Sequence, residues 1–270
     1  MKIDLTEATF IIPIRIESSD RLRNVIATTA FLLENFDANI IIKEVDSESI
    51  FKKEALPILK SILEVDININ HIFEKSLDST FHRQRILNEM IMESDTKVVV
   101  NYDCDVILPL HSYKLAYESI LRDECDVVYP YGQGTWQRQV PPSDEIVSKF
   151  LETLDYDYLE KNSNKYLSDF GWVQFFNRKV YIEGGMENEN FVAYAPEDKE
   201  RFYRFTTLGY NIERIEDTIY HLEHSRGHNS WITNPHMVNN NDIWKQIQSM
   251  DKLQLQKYYS KQDYLKKYNG

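Results

Sequence analysis

The chain has 270 residues, with 31 basic against 43 acidic side chains and a net charge of −12 when the seven histidines are neutral. That balance argues against nucleic acid or an anionic membrane as the main partner, since both select basic faces. An apolar fraction of 42% supports a packed core, while only two cysteines, Cys104 and Cys125, exclude a disulfide scaffold and suit a reducing compartment. No run approaches the roughly 18 apolar residues of a membrane span. The opening MKIDLTEATF carries acids where a signal peptide needs an apolar stretch. The expectation is a cytoplasmic protein with at most a peripheral contact to the inner face of the membrane.

In chain order, apolar runs rich in β-branched residues predict buried strands at Thr9–Ile14, Ala38–Val45, Ile67–Phe73, Lys97–Tyr102 and Asp126–Tyr131. Helix-like stretches alternate with them. Asp20–Phe36 sets Leu22, Val25, Ile26, Leu32 and Leu33 on one side behind a Ser19/Asp20 start signal. Ser49–Leu63 and Ser79–Glu93 have similar spacing, with Pro57 bending or breaking the first. Strand and helix in alternation predict βαβ units, hence an α/β fold with a mostly parallel sheet covered by helices on both faces. Ligands of such sheets collect at the carboxyl ends of the strands.

Past Pro130 the rhythm changes. Tyr131–Gln139 reads as a mobile loop, Asp169–Glu223 as short strands and turns, and Asp242–Tyr268 as a helical tail. The lysines and tyrosines of the tail suit a membrane surface, but packing back on the domain is the expected role. The chain reads as one domain with two lobes, residues 1–131 and 132–238, and a helical extension over 239–270.

Chemistry-bearing residues cluster at three places. In Val98–Asp105 three valines form a strand interior, and Asp103 and Asp105 follow at its end, projecting to one side of an extended backbone. Two such acids repel unless a cation lies between them; a solvated turn or a helix cap is the plainer reading. In Tyr220–His228, His221 and His224 are spaced to meet on a helical turn or tight bend. With Asp105 they would form a mixed carboxylate–imidazole site suited to manganese; alone they would be surface decoration. Glu197 and Asp198 follow Pro196, either as first-turn acids of a helix over Pro196–Leu208 or as a general base in a cleft. Arg15 follows the first strand and Arg83 opens the helix after the third, each where phosphate or a nucleotide base could be bound; salt bridging to surplus acids is the plainer reading. Arg21 and Arg23 are expected to pair with surplus acids.

These motifs, in order Ile12-Pro13-Ile14-Arg15, Phe81-His82-Arg83, Asp103-Cys104-Asp105, Phe170-Gly171, Gly184-Gly185, Glu197-Asp198 and His221-Leu222-Glu223-His224-Ser225-Arg226, resemble the GT-A glycosyltransferases of the β-1,4-galactosyltransferase and chondroitin-polymerase type. The resemblance implies a Rossmann-like GT-A fold with a smaller acceptor-side lobe, and metal-dependent, inverting transfer from a UDP-sugar to a glycan or glycolipid hydroxyl. It assigns Pro13, Arg15, Glu44, Asp46, Phe81, Arg83, Asp103, Cys104 and Asp105 to the donor, and Asp105, His221 and His224 to Mn2+ (or Mg2+). It further makes Glu197, Tyr194 and Trp172 acceptor-binding and Asp198 the base, and implies galactose or N-acetylgalactosamine as the transferred sugar. Three departures stand out: Glu17 replaces a second arginine of the first motif, Trp172 replaces a glycine, and Asp169 replaces an aromatic that bears on the donor sugar. Tyr131–Gln139 and the segment after His224 are expected to order over bound donor. A retaining GT-A transferase, a nucleotidyltransferase, a metallohydrolase and a non-catalytic glycan- or nucleotide-binding module are the competing readings.

Overall fold

The computed structural model describes all residues but 65–66, 168–169, 195, 228, 230–233 and 269–270. Asp169 therefore lies outside the described residues, as does part of the segment after His224. The first half runs β1 (Ile3–Ile14), α1 (Ser19–Asn35), β2 (Phe36–Asp46), α2 (Leu56–Ile62), β3 (Asn70–Lys75), α3 (Arg83–Glu93), β4 (Val98–Tyr102), β5 (Val106–Ile107), α4 (Leu110–Leu121) and β6 (Val127–Tyr129). The second half adds β7 (Gln137–Val140), α5 (Asp144–Thr153), α6 (Tyr156–Lys161), β8 (Asn164–Tyr166), β9 (Val173–Asn177) and α7 (Arg178–Glu183). It closes with α8 (Glu197–Leu208), β10 (Ile212–Arg214), β11 (Ile219–Leu222), α9 (Met237–Ile247), α10 (Lys252–Tyr259) and α11 (Asp263–Lys266).

The helices flank a seven-stranded sheet of order β10-β6-β9-β4-β1-β2-β3, in which β9 alone runs antiparallel to its neighbours. This is the mostly parallel α/β sheet that the strand–helix alternation predicts, and it fits the GT-A-like fold that the motif resemblance implies. Its central strand β4 is fully buried along its length, which explains its run of valines: both faces are covered. A second, four-stranded sheet of order β5-β11-β7-β8 stands at the carboxyl end of β4.

Several elements differ from the sequence reading for physical reasons. Before Pro57 the chain winds one π turn over Phe51–Ala55, with Leu56 N–H donating to Phe51 C=O, and only then becomes α2. Proline has no N–H for the ordinary ladder at that point. The helix expected from Ser79 starts at Arg83, because Ser79 C=O accepts from Arg15 and Asn229, and Phe81 N–H donates to Asn229. The expected loop Tyr131–Gln139 is half wrong: Tyr131 is buried, Gly134–Trp136 is a 3₁₀ turn, and Gln137 opens β7 inside the small sheet. A buried glutamine in place of a hydrophobe hid this strand.

The tail folds as three short helices rather than one stretch. Ile247, Leu255 and Tyr259 pack with Phe191 in a satellite core, and the Tyr259 hydroxyl donates to buried Glu200. No helix among the described residues is long and apolar enough to cross a membrane.

Candidate active site: a metal corner and a carboxylate corner in one cavity

At the end of β4 the chain turns sharply, with Asp103 N–H donating to Trp172 C=O at 2.9 Å. The next two residues are held by other elements. Thr28 Oγ1 on α1 donates to Cys104 C=O at 2.8 Å, and Asp105 C=O accepts from Leu222 N–H at 2.7 Å. One helical turn before Thr28, Asn24 Nδ2 donates to Leu222 C=O at 2.7 Å, while Arg23 reaches Glu223 C=O at 3.0 Å. A single face of α1 thus pins both segments, and Asp105 meets two histidines more than a hundred positions away. His224 Nε2 is 3.1 Å from Asp105 Oδ2 and His221 Nε2 is 3.6 Å from Asp105 Oδ1. The histidines do not share a helical turn. His221 belongs to β11, paired with Val106 of β5, and His224 follows where the chain leaves that strand.

The outer nitrogens define the inner ones. His221 Nδ1 faces Glu223 Oε1 at 2.8 Å and His224 Nδ1 faces Ser225 C=O at 2.8 Å. Both acceptors call for a proton on Nδ1, which turns each Nε2 lone pair toward Asp105, the outer-sphere arrangement of metal-ligating histidines. Donor atoms of Asp105, His221 and His224 all lie within 4.8 Å of one another, all three residues are buried, and Asp105 Oδ1 has no hydrogen-bond partner. The donor set of one carboxylate and two imidazoles fits a divalent ion of the manganese type. Burial works to raise the pKa of Asp105, but the charges and hydrogen bonds of His221 and His224 overcome it and hold the carboxyl well below its usual range. For His221 burial opposes protonation, Asp105 and Glu223 outweigh it, and the imidazole pKa rises to about 9. Without a cation, protons do the work of charge balance. Cys104 also lines the cavity, but burial pushes its thiol up, so it stays protonated.

The cavity encloses about 1310 Å³ including its open mouth, and Pro13, Arg15, Phe81, Arg83, Asp103 and Arg21 form one side. Arg15 donates to Val45 C=O at 2.9 Å and Ser79 C=O at 3.0 Å and lies against the Phe81 ring. Arg83 donates to Asp103 Oδ1 at 2.6 Å, leaving Nη1 buried without a partner. Arg21, expected only to pair with an acid, does lie 3.8 Å from Glu17, yet it forms part of the cavity wall and its buried Nε has no acceptor. Arg23, by contrast, is bound to Asp20, Asn24 and Glu223 as a structural strut.

Two expected donor contacts sit elsewhere. Glu44 is fully buried behind β2, where it accepts from Phe51 N–H at 2.9 Å and Ser49 Oγ at 2.5 Å and pairs with His71. It fastens the turn before α2 and does not reach the cavity. Asp46 lines an adjoining groove with Arg15, Ser79 and Asn229 and accepts from Ser47 N–H.

Tyr166, Phe170, Gly171, Trp172, Tyr194, Glu197 and Asp198 line the same cavity. Pro196 gives α8 no side-chain cap, and buried Glu197 Oε2 has no partner at all, so first-turn capping does not account for these acids. Asp198 sits beside an arginine already committed. Arg201, 1% exposed, donates to both oxygens of Glu187 at 2.6 and 2.8 Å and to Gln174 Oε1 at 3.0 Å. Its Nη1 is also 3.0 Å from Asp198 Oδ1, an ion contact too bent for a hydrogen bond, so that oxygen keeps its lone pair. Burial, then the neighbouring charge of Asp198, raises Glu197 to about 8. Near neutrality Glu197 therefore holds a proton.

Sequence reasoning missed the support of this corner: Arg201, Glu187, Gln174, and Asn101, which donates to Gln174. Only the Asp198–Arg201 spacing, one helical turn, was there to be found.

No family model and no curated protein matches the chain in sequence. Among solved structures it is similar to the mannosyltransferase PcManGT from Pyrobaculum calidifontis in complex with GDP-Man and Mn2+. The match has a TM-score of 0.56 at 12% identity and covers 97% of this chain and 71% of that one.

Proposed function

We propose that the protein is a metal-dependent, inverting glycosyltransferase that moves a hexose or N-acetylhexosamine from a nucleoside-diphosphate sugar to a hydroxyl of a glycan or glycolipid. One observation carries the reading: Asp105, His221 and His224 converge in a cavity that Asp198 and protonated Glu197 also line. Asp105, His221 and His224 would hold Mn2+ or Mg2+, which stabilises the charge building on a departing diphosphate as a Lewis acid. Arg15, Arg21 and Arg83 add positive charge along the donor wall, and the partnerless nitrogens of Arg21 and Arg83 are free for phosphate oxygens. Residues 1–131 supply most of this donor half, and residues 132–238 supply the acceptor side.

On the acceptor side, Tyr194 and Trp172 offer ring faces suited to the apolar face of a sugar. Glu197, neutral near pH 7, binds an acceptor oxygen. Asp198 takes the proton of the attacking hydroxyl as the new C–O bond forms and the diphosphate leaves with the bonding electrons of the old one. A single base opposite the leaving group gives one displacement with inversion. A UDP-sugar is the donor that the sequence motifs imply, with galactose or N-acetylgalactosamine favoured. The GDP-Man bound by the structural neighbour makes a GDP-sugar the second reading.

Two variants test the assignment. Asp198→Asn is expected to fold, to keep metal-dependent nucleotide binding in calorimetry, and to lose transfer by roughly 10²–10⁴-fold, the usual contribution of a general base. Asp105→Ala is expected to abolish Mn2+-dependent binding of UDP or GDP. Normal transfer by a folded Asp198→Asn protein would remove the base assignment. A panel of UDP- and GDP-sugars, read as metal-dependent thermal stabilisation, identifies the donor.

A further inference from the structure

Strands β4 and β9 set Asn101 opposite Gln174, two buried amides among valines and phenylalanines. A polar pair at the centre of a sheet serves the fold less well than an apolar one unless its atoms find partners. Here they do. Asn101 Oδ1 accepts from Arg83 Nη2 at 3.4 Å, and Asn101 Nδ2 donates to Gln174 Oε1 at 3.0 Å. The same Oε1 accepts from Arg201 Nη1 at 3.0 Å, and Gln174 Nε2 donates to Gly171 C=O. An arginine only donates and a carbonyl only accepts, so the glutamine amide has a single orientation.

Both ends of that amide bear on Asp198. A Cβ at Gly171 would come within 2.8 Å of Asp198 Oδ2, and the next residue, Trp172, stacks on the His221 imidazole with ring centroids 5.6 Å apart. Arg201 Nη1 lies 3.0 Å from Asp198 Oδ1, yet that buried oxygen has no hydrogen-bond partner. All three guanidinium nitrogens are engaged: Nε and Nη2 donate to Glu187 at 2.6 and 2.8 Å, and Nη1 donates to Gln174. The guanidinium cannot tilt onto Asp198 without giving up the Gln174 bond.

The geometry points to Gln174 as a positioning residue for the base: by engaging Arg201 Nη1 it keeps Asp198 Oδ1 free of a hydrogen bond, its lone pair open to the proton of an incoming hydroxyl. This rests on the glycosyltransferase reading and adds to it a residue behind the cavity wall. Without the glutamine oxygen, a buried Nη1–H with no acceptor would face a buried carboxylate oxygen with no donor, and two such groups pair. A base whose lone pair is spent on arginine must break that bond before it takes a proton.

The experiment compares wild type with Gln174→Met, of similar length but with no acceptor, and Gln174→Glu, which still accepts from Arg201. Turnover is read as nucleoside diphosphate released from the UDP- or GDP-sugar that wild type uses, with water as the acceptor. Binding of UDP or GDP with Mn2+ is read by calorimetry. In Gln174→Met, kcat is expected to fall at least tenfold, while KM for the sugar nucleotide and nucleotide affinity stay within twofold. Gln174→Glu is expected to keep kcat within threefold of wild type. In an Arg201→Met/Glu187→Gln background, where no Nη1–H competes, Gln174→Met is expected to cost no further kcat; a purely structural role would cost the same in both backgrounds. A crystal structure of Gln174→Met is expected to show Arg201 Nη1 hydrogen-bonded to Asp198 Oδ1. Unchanged kcat in folded Gln174→Met, or an equal loss in the background without Arg201, overturns the proposal and leaves the transferase reading standing. Where Gln174→Met does not fold, a tenfold loss of kcat in folded Gln174→Glu overturns it. A wild-type protein that binds nucleotide with metal but releases none from any sugar nucleotide overturns the transferase reading, and this proposal with it.

Discussion

The metal corner and the carboxylate corner share one cavity but balance their charges in opposite ways. Around Asp105 the protein supplies one carboxylate and two imidazoles whose Nδ1 sides are satisfied and whose Nε2 sides face that carboxylate. That corner is completed from outside, by a cation or by protons. Around Asp198 the protein completes the site itself. Arg201 is bound on both arms to Glu187 and Gln174, Asp198 rests against it, and burial keeps Glu197 neutral. On the proposed function the difference is one of timing: the base would be free before the acceptor arrives, whereas the metal ligand set would stay open until the donor complex enters.

The comparison breaks most visibly at Arg201. Arg201 and Glu187 are each 1% exposed, and removing one partner of a buried pair leaves an uncompensated charge at a cost of ~3–5 kcal/mol. Arg201→Met is therefore expected to lower the stability measured by urea unfolding by about that amount. The double variant Arg201→Met/Glu187→Gln, with no stranded carboxylate, is expected to recover a large part of it. The double variant should still transfer sugar poorly, because Asp198 has lost its positive neighbour. If the single and double variants are equally unstable, packing rather than charge holds this corner together.

At the metal corner the expected effect is smaller and spares the fold. Glu223 fixes the His221 ring through Nδ1, and outer-sphere partners of this kind change metal affinity by roughly 10–100-fold. Glu223→Gln, titrated with Mn2+ in the presence of nucleotide, is expected to bind the ion that much more weakly with a nearly unchanged urea midpoint. Unaltered affinity would mean that the pairing of β11 with β5 and the Trp172 stack orient the imidazole unaided.

The same contrast explains how much was legible beforehand. The parallel strands announced themselves because a sheet covered on both faces demands continuous apolar runs, and Val98–Val100 is such a run. Asp105, His221 and His224 could be picked out because metal ligands come from a short list of residue types. Glu44 looked equally eligible at a strand end, but strand alternation turned its carboxylate into the protein, where it fastens a turn. β7 went unseen because its burial is met by Gln137, whose amide donates to Gly132 C=O. Arg201 and Glu187 were hidden for a related reason: a buried ion pair between distant segments leaves no period in the sequence, and the same letters on a charged surface mean nothing.

The mildest test concerns Glu197 and reads the carboxylate corner through pH alone. Its folded pKa of about 8 lies above the 4.5 of an unfolded glutamate, so between these values the folded chain binds more protons than the unfolded one. Stability contributed by the neutral carboxyl is fully present below pH 4.5 and is lost as the pH rises through about 8. The slope from one proton cannot exceed ~1.4 kcal/mol per pH unit. Glu197→Gln imitates the protonated form and has no such slope. The urea midpoints of the two proteins are thus expected to be close near pH 5 and to diverge in favour of the variant toward pH 8. Because every other titrating group is common to both, their difference isolates Glu197. Parallel midpoints across that range would mean that Glu197 ionises freely, and that Asp198 then shares its corner with a second negative charge.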